Sequence, residues 1–205
     1  TAAVAEGAAD RPARKKRKGV ASPGRVAEYG KLNVIGERIN PTGKKRLQQA
    51  LLEEDYGYIK KLAISQQEAG AQVLDINVGA QGVDEEKIIP YVVKAVQSVV
   101  DLPLQIDSAK PRVIEAALRV TNGRVIINSV SGERERMDAI FPLVKHYGAA
   151  VLGLAMDEKG LPETAAQRIT IAERIVAEAE KYGLEREDLI IDCLTLTVSA
   201  QQSQA

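Results

Sequence analysis

Leu104-Gln105-Ile106-Asp107-Ser108 is an apolar run that ends on a carboxylate. It has two counterparts in the chain, Val125-Ile126-Ile127-Asn128-Ser129 and Leu189-Ile190-Ile191-Asp192-Cys193. Runs of this kind read as buried parallel strands, and helical segments separate them. In a β/α architecture the C-terminal strand ends all open onto one face, where ligands bind. An Asp, an Asn and an Asp are therefore expected to converge on one pocket.

The same alternation extends in both directions. Residues 32–35 read as a first strand, followed by a polar loop over 36–43. A helical stretch covers about 44–69, with a break expected near 55–57 and Gly70 as its C-terminal cap. Residues 73–78 form the second strand. A helix over about 84–100 follows, which Pro90 is expected to break or restart. Further helices are predicted over 111–120, 133–147 and 164–182, with a strand over 150–155 before the last of them.

Six strands alternating with helices, and no hairpin signal, imply a parallel sheet. The candidates are a doubly wound sheet and a TIM-type (β/α)8 barrel. Gly36-Glu37-Arg38 does not supply the glycine fingerprint of a dinucleotide fold. Functional-looking residues at nearly every strand end, rather than at one switch point, favour the barrel. A complete barrel needs eight strands, so the expectation is an α/β chain carrying a barrel through about its sixth strand, as a piece of a larger protein.

The 205 residues are 45% apolar and 27% charged, ordinary for a globular domain, with zero formal net charge. No global field favours nucleic acid or a membrane. Residues 1–30 hold seven Lys/Arg against three Asp/Glu. With their Pro and Gly residues they read as a basic, flexible linker ahead of a domain spanning 31–205. One cysteine, Cys193, and one histidine, His146, allow no intrachain disulfide and argue against a His/Cys zinc site. No apolar stretch approaches the roughly 18 residues of a spanning helix. A cytoplasmic protein is expected.

Asp107 and Asp192 are the sharpest candidates, because a buried carboxylate is costly unless paired or hydrogen-bonded. One fitting use is a ligand edge that presents two parallel N–H donors, as a 2-amino-4-oxo heterocycle such as a pterin does. Asn128 both donates and accepts, which suits the neighbouring ring atoms. The competing reading of a single strand-end Asp is an N-cap of the next helix. Asp75 and Asn77 fall on one side of the second strand, facing the barrel interior. A buried polar layer and direct ligand contact are both open to them. Glu37 and Asn40 sit where the first strand ends and are expected to line the mouth. Arg38 is expected to pair with one of these acids, Lys110 is the cation nearest Asp107 in sequence, and Glu133 to Arg136 read as a solvated helix start. No general acid stands out.

Five segments, Gly36-Glu37-Arg38-Ile39-Asn40-Pro41-Thr42-Gly43, Leu74-Asp75-Ile76-Asn77-Val78-Gly79, Gln105-Ile106-Asp107-Ser108, Ile127-Asn128-Ser129 and Asp192-Cys193-Leu194-Thr195-Leu196-Thr197-Val198, appear in order and in register. Together they resemble the pterin-binding barrel of the methyltetrahydrofolate:corrinoid methyltransferases, including the folate module of cobalamin-dependent methionine synthases. The resemblance implies binding of 5-methyltetrahydrofolate at the strand ends and transfer of its N5-methyl to a cobalamin or corrinoid carried on another domain or protein. It implies a fused homocysteine-binding domain in the parent protein, and Asp107, Asn128 and Asp192 as the pterin-binding residues. The family's strand-seven Asn would lie beyond Ala205. Two alternatives remain at this point, a dihydropteroate synthase-like pterin enzyme and a non-catalytic folate-binding fragment.

Overall fold

A computed structural model describes residues 19–195. Six strands, β3 (Ile35–Ile39), β4 (Val73–Ile76), β5 (Leu104–Asp107), β6 (Ile126–Val130), β7 (Ala150–Leu154) and β8 (Leu189–Asp192), form one parallel sheet in strictly sequential order. A doubly wound sheet reverses its strand order at a switch point, and this sheet has none. Sequential winding with a helix on each crossover is the arc of a TIM-type barrel, as the pattern predicts.

Period-two alternation gives the sheet two apolar faces. Leu74, Ile76, Leu104, Ile106, Ile127 and Val151 point outward and are fully buried beneath the helices. Val73, Ile126 and Ala150 point inward, toward the barrel axis. The helices are α1 (Lys45–Leu52), α2 (Tyr56–Glu68), α3 (Glu85–Gln97), α4 (Pro111–Leu118), α5 (Arg134–Tyr147) and α6 (Ala165–Lys181). The expected break separates α1 from α2: Glu54 takes φ +56°, and Asp55 caps α2 by accepting from Tyr58 N at 3.0 Å.

Three expectations need correction. Pro90 does not break α3. It removes one backbone donor, but Ile88, Ile89, Val92, Val93 and Val96 of that helix are buried against the sheet. Each such side chain contributes about 1.5–3 kcal/mol, which outweighs the roughly 3 kcal/mol an interior proline costs. The first sheet strand begins at Ile35, not at residue 32; Leu32 is 91% exposed, and Glu37 consequently lies on the strand and not in the loop after it.

The third concerns the lead-in. Residues 1–18 lie outside the described residues, but 19–28, expected to belong to the same linker, form an antiparallel hairpin of β1 (Gly19–Ala21) and β2 (Val26–Glu28). Val20 and Ala27 pack on Val73, Ile126 and Ala150, covering the inward face at the N-terminal strand ends. Ser22 Oγ donates to Asp101 Oδ1 at 2.7 Å, and Ala21 exchanges two backbone hydrogen bonds with Arg124. The Arg124 guanidinium donates to Gly19 O and to the buried Asp188 carboxylate, each at 2.7 Å.

Candidate functional site

The parallel register aligns the polar residues in rows. Asp107 stands beside Asn128, Asp75 beside Gln105, and Leu154 beside Asp192. The upper row sits at the C-terminal strand ends. There a cleft of about 430 Å³ is lined by Asp107, Asn128, Ser129, Arg136, Leu154 and Met156. A larger cavity of about 680 Å³ lies at the opposite end, among apolar residues such as Val20, Val73, Ile126 and Ile190. It lacks the convergent acceptors of the smaller cleft, and β/α barrels bind ligands at the end where the smaller cleft opens.

Asp107 does not cap the helix that follows it. The N-cap of α4 is Lys110, whose N–H is bonded to Ser108 Oγ at 3.1 Å, and that of α5 is Glu133, not Asn128. The capping reading is therefore not realised at either residue. Asp107 Oδ2 accepts from Asn77 Nδ2 at 2.8 Å, and Asn77 Oδ1 accepts from Gly79 N at 2.7 Å. Burial holds the Asp107 carboxyl above the usual carboxylate range, and Glu37 adds to this, while the Asn77 bond and Arg136 oppose it.

Asp75 is 2% exposed and accepts from Gln105 Nε2 at 2.6 Å. Its pKa is pushed up to about 7, chiefly by burial and further by the charges of Asp107 and Glu37, against the Gln105 and Asn128 amides. Asp75 thus belongs to a buried polar layer beneath the cleft, one of the two roles its sequence position left open. Asp192 is half-buried on β8, and its Oδ1 accepts from Leu194 N at 2.7 Å. It stands across β7 from Asn128 and does not line the 430 Å³ cleft.

Glu37 faces Asp75 and Asp107 closely enough to raise both. Asn40 bridges the Glu37 carboxyl and its own loop: its amide donates to Glu37 Oε1 at 2.8 Å and its oxygen accepts from Thr42 N at 3.0 Å. Arg38 is exposed at the irregularity of β3, its backbone N–H donates to Gln66 Oε1 at 2.6 Å, and the expected Arg38 ion pair is not formed among the described residues. Lys110 bonds Glu85 at 2.8 Å rather than Asp107.

Two site residues were not anticipated. Gln105 reads in sequence as the polar member of an apolar strand, though its spacing of two from Asp107 places both on one face. Arg136 was read as solvated, yet it is half-buried and donates to Ser129 O at 2.9 Å, Ala109 O at 2.6 Å and Ser108 O at 2.9 Å. It ties the loop after β5 to the C-terminal end of β6. Nothing in a Glu-Arg-Glu-Arg run signals which arginine turns inward.

The cluster holds the carboxyl groups of Glu37, Asp75 and Asp107, with Asp192 nearby. Arg136, the cation that acts on Asp107, spends its donors on backbone carbonyls. Such a pocket accepts hydrogen bonds and favours a ligand rich in N–H donors or carrying positive charge; it disfavours an anionic group seated among the acids. Among the described residues, no group of three or more His, Cys, Asp or Glu is placed to hold a metal ion, and no helix is long and apolar enough to cross a membrane. His146 packs edge-on against Tyr147, 4.7 Å between ring centres, and Cys193 is exposed.

Fold and cluster together define a β/α-barrel domain with an acidic, donor-seeking pocket at its strand ends. The chain belongs to the pterin binding enzyme family, whose model matches residues 36–205. It is 33% identical over 181 residues to the methionine synthase of Mycobacterium leprae, an alignment covering 84% of this chain and 15% of that protein. It is 31% identical over 173 residues to the methylcorrinoid:tetrahydrofolate methyltransferase of Eubacterium limosum, covering 82% of this chain and 62% of that one. The chain therefore spans less than two thirds of the length of either relative. The dihydropteroate synthase of Xanthomonas albilineans, in complex with indole-2-carboxylic acid and 6-chloroguanine, matches with a TM-score of 0.61 at 24% identity, over 86% of this chain and 65% of that chain. At that identity the likeness concerns the fold. The family resemblance carried by the five segments is borne out.

Proposed function

We propose that this chain binds 5-methyltetrahydrofolate at its strand ends and presents the N5-methyl group for transfer to a corrinoid, as in the synthesis of methionine from homocysteine. The observation that carries the reading is the row of acceptors, Asp107 beside Asn128 with Asp192 one strand beyond, above a second buried acid. The pyrimidine edge of a pterin offers its N3–H and 2-amino hydrogens side by side. Asp107, whose Oδ2 is held by Asn77, keeps Oδ1 for such a donor, and Asp192 keeps Oδ2.

Methyl transfer from N5 requires that nitrogen to be protonated or strongly hydrogen-bonded, since loss of the methyl from unprotonated N5 would expel an amide anion, whereas loss from protonated N5 leaves a neutral amine. Three acids grouped with one backbone-bound arginine stabilise positive charge developing on the ligand more than they stabilise the neutral ground state. The carboxylates act here by field and position, and we assign none of them as the acid that protonates N5.

A reduced corrinoid supplies the methyl-accepting metal centre. The residues of this chain do not fit it: the one histidine, His146, lies near the C-terminal end of α5, which leads back to the N-terminal strand ends, away from the cleft. The corrinoid accordingly belongs to another domain or protein, and a homocysteine-binding domain to the parent chain. A cytoplasmic setting accords with the lone, exposed cysteine.

The dihydropteroate synthase-like alternative needs a basic seat for a diphosphate, and the acid-lined cleft does not provide one. The non-catalytic alternative differs only in the transfer step. The deciding experiment titrates the chain with 5-methyltetrahydrofolate and with a dihydropterin diphosphate, then adds cob(I)alamin and follows its methylation by absorbance. Preference for the folate with methyl transfer supports the proposal. Preference for the diphosphate contradicts it, and tight folate binding without transfer leaves the chain a binding module.

A further inference from the structure

One row below the strand-end acceptors lie two buried polar side chains, Asp75 at 2% exposure and Gln105 at 5%. They are register partners on β4 and β5, and Gln105 Nε2 donates to Asp75 Oδ1 at 2.6 Å. Asp75 Oδ2 is buried and meets no donor in good hydrogen-bonding geometry. The carboxamide of Asn128, which itself lines the cleft above, also lies near enough to favour its negative charge. The other charged groups facing Asp75, Asp107 and Glu37, are carboxyls and offer no donor when ionised.

We propose that Asp75 is a positioning residue that sets the Asn128 carboxamide with its nitrogen inward and its oxygen toward the cleft, and so makes the site selective for a reduced pterin ring. The proposal rests on the pterin reading of the site. Above its pKa of about 7 the Asp75 carboxylate only accepts, so the end of Asn128 that it attracts is the NH2 end. The carbonyl oxygen is then the atom Asn128 offers to a ligand.

Reduced and oxidised pterins share their N3–H and 2-amino donors, which match the carboxylates of Asp107 and Asp192. They differ at N8, which carries a hydrogen in 7,8-dihydro and tetrahydro rings and a lone pair in the oxidised ring. An oxygen facing N8–H gains a hydrogen bond. An oxygen facing the lone pair leaves two acceptors opposed and unpaired, the kind of mismatch that discriminates strongly in a desolvated site.

The test measures calorimetric affinities at a pH of about 8.5, where Asp75 is ionised, for 7,8-dihydrofolate and folic acid, which differ at N8 while N5 stays an acceptor in both. Wild type should favour dihydrofolate by roughly 100-fold. Asp75→Asn can turn an N–H toward Asn128, and Asp75→Leu offers no acceptor at all; both should cut that ratio by about tenfold or more. In an Asn128→Ala background the Asp75 substitutions should leave the ratio unchanged, because the effect runs through that amide. A melt of each variant verifies folding, and Asp75→Asn, nearly isosteric, carries the test if Asp75→Leu does not fold. A ratio retained in the folded Asp75 variants, or equal loss of both affinities, overturns the inference and makes Asp75 merely structural. A wild type that binds both compounds equally also overturns it while leaving the folate reading standing. A wild type that binds neither overturns both.

Discussion

Asn77 Nδ2 donates to Asp107 Oδ2 at 2.8 Å, joining the ends of β4 and β5. The bond holds one carboxylate oxygen in place and leaves the other for a ligand. It also offsets part of the cost of ionising a half-buried acid beside Glu37. Asn77→Ala should raise the Asp107 pKa further and weaken folate binding near neutral pH by about 1–2 kcal/mol, roughly 5- to 30-fold. The loss should shrink as pH rises and Asp107 ionises. Binding isotherms between pH 6 and 9 measure this, and a loss independent of pH would contradict it.

Asp75 makes stability depend on pH in a direction opposite to that of most acids. Its folded pKa lies near 7, against 3.8 ordinarily. Between those values the folded state binds a proton that the unfolded chain has released, so stability falls as pH rises from about 4 to about 7 and levels off above. A shift of this size corresponds to something on the order of 4 kcal/mol. Asp107, shifted the same way, steepens the fall. Asp75→Asn should flatten the profile and exceed wild type in stability at pH 8 but not at pH 5. Urea unfolding at the two pH values checks this, and parallel profiles would count against it.

Arg136 binds three carbonyl oxygens in the segments that directly follow Asp107 and Asn128. Arg136→Met leaves those oxygens without their charged donor. It should cost about 3 kcal/mol in stability and weaken folate binding at least tenfold. Arg136→Lys should recover little, because one ammonium cannot span three acceptors held by a planar fork. Recovery by lysine in both readouts would show that charge alone is at work.

At the opposite end Arg124 and Asp188 form a buried ion pair of 2.7 Å that ties the hairpin to the entrance of β8. Arg124→Met removes the guanidinium from a buried carboxylate and should destabilise the fold by about 3–5 kcal/mol. The folate affinity of the protein that remains folded should not change, since the pair lies a strand length from the cleft. A changed dissociation constant would mean that the two ends are coupled.

The strand ends were legible in the sequence because apolar runs closing on Asp or Asn follow the simple period of a parallel sheet. The barrel followed from six such runs with no dinucleotide fingerprint. The hairpin was not legible: strands of three residues carry almost no periodic signal, and its partners, Val73, Ile126, Ala150, Asp101 and Arg124, lie far off in sequence. The start of β3 was misplaced because Leu32 and Val34 look strand-like but are exposed. Among site residues, Asp75, Asn77, Asp107 and Asn128 gather as alternation predicts. Asn40 was assigned to the mouth on position alone; its amide holds the Glu37 carboxyl and its oxygen closes the loop at Thr42. Arg136 was hidden because a helix's first turn presents charged residues to all sides, and only the packed loops select one.

The most direct test of a folate site at the strand ends is a calorimetric titration of this chain with 5-methyltetrahydrofolate, with Asp107→Ala and Asp192→Ala run beside it. The account predicts saturable one-to-one binding by wild type and a loss of at least about 2 kcal/mol, some 30-fold, in each variant at unchanged fold, since each removes a charged partner of a ligand N–H. Binding by wild type that both variants retain in full would place the ligand elsewhere and contradict the account.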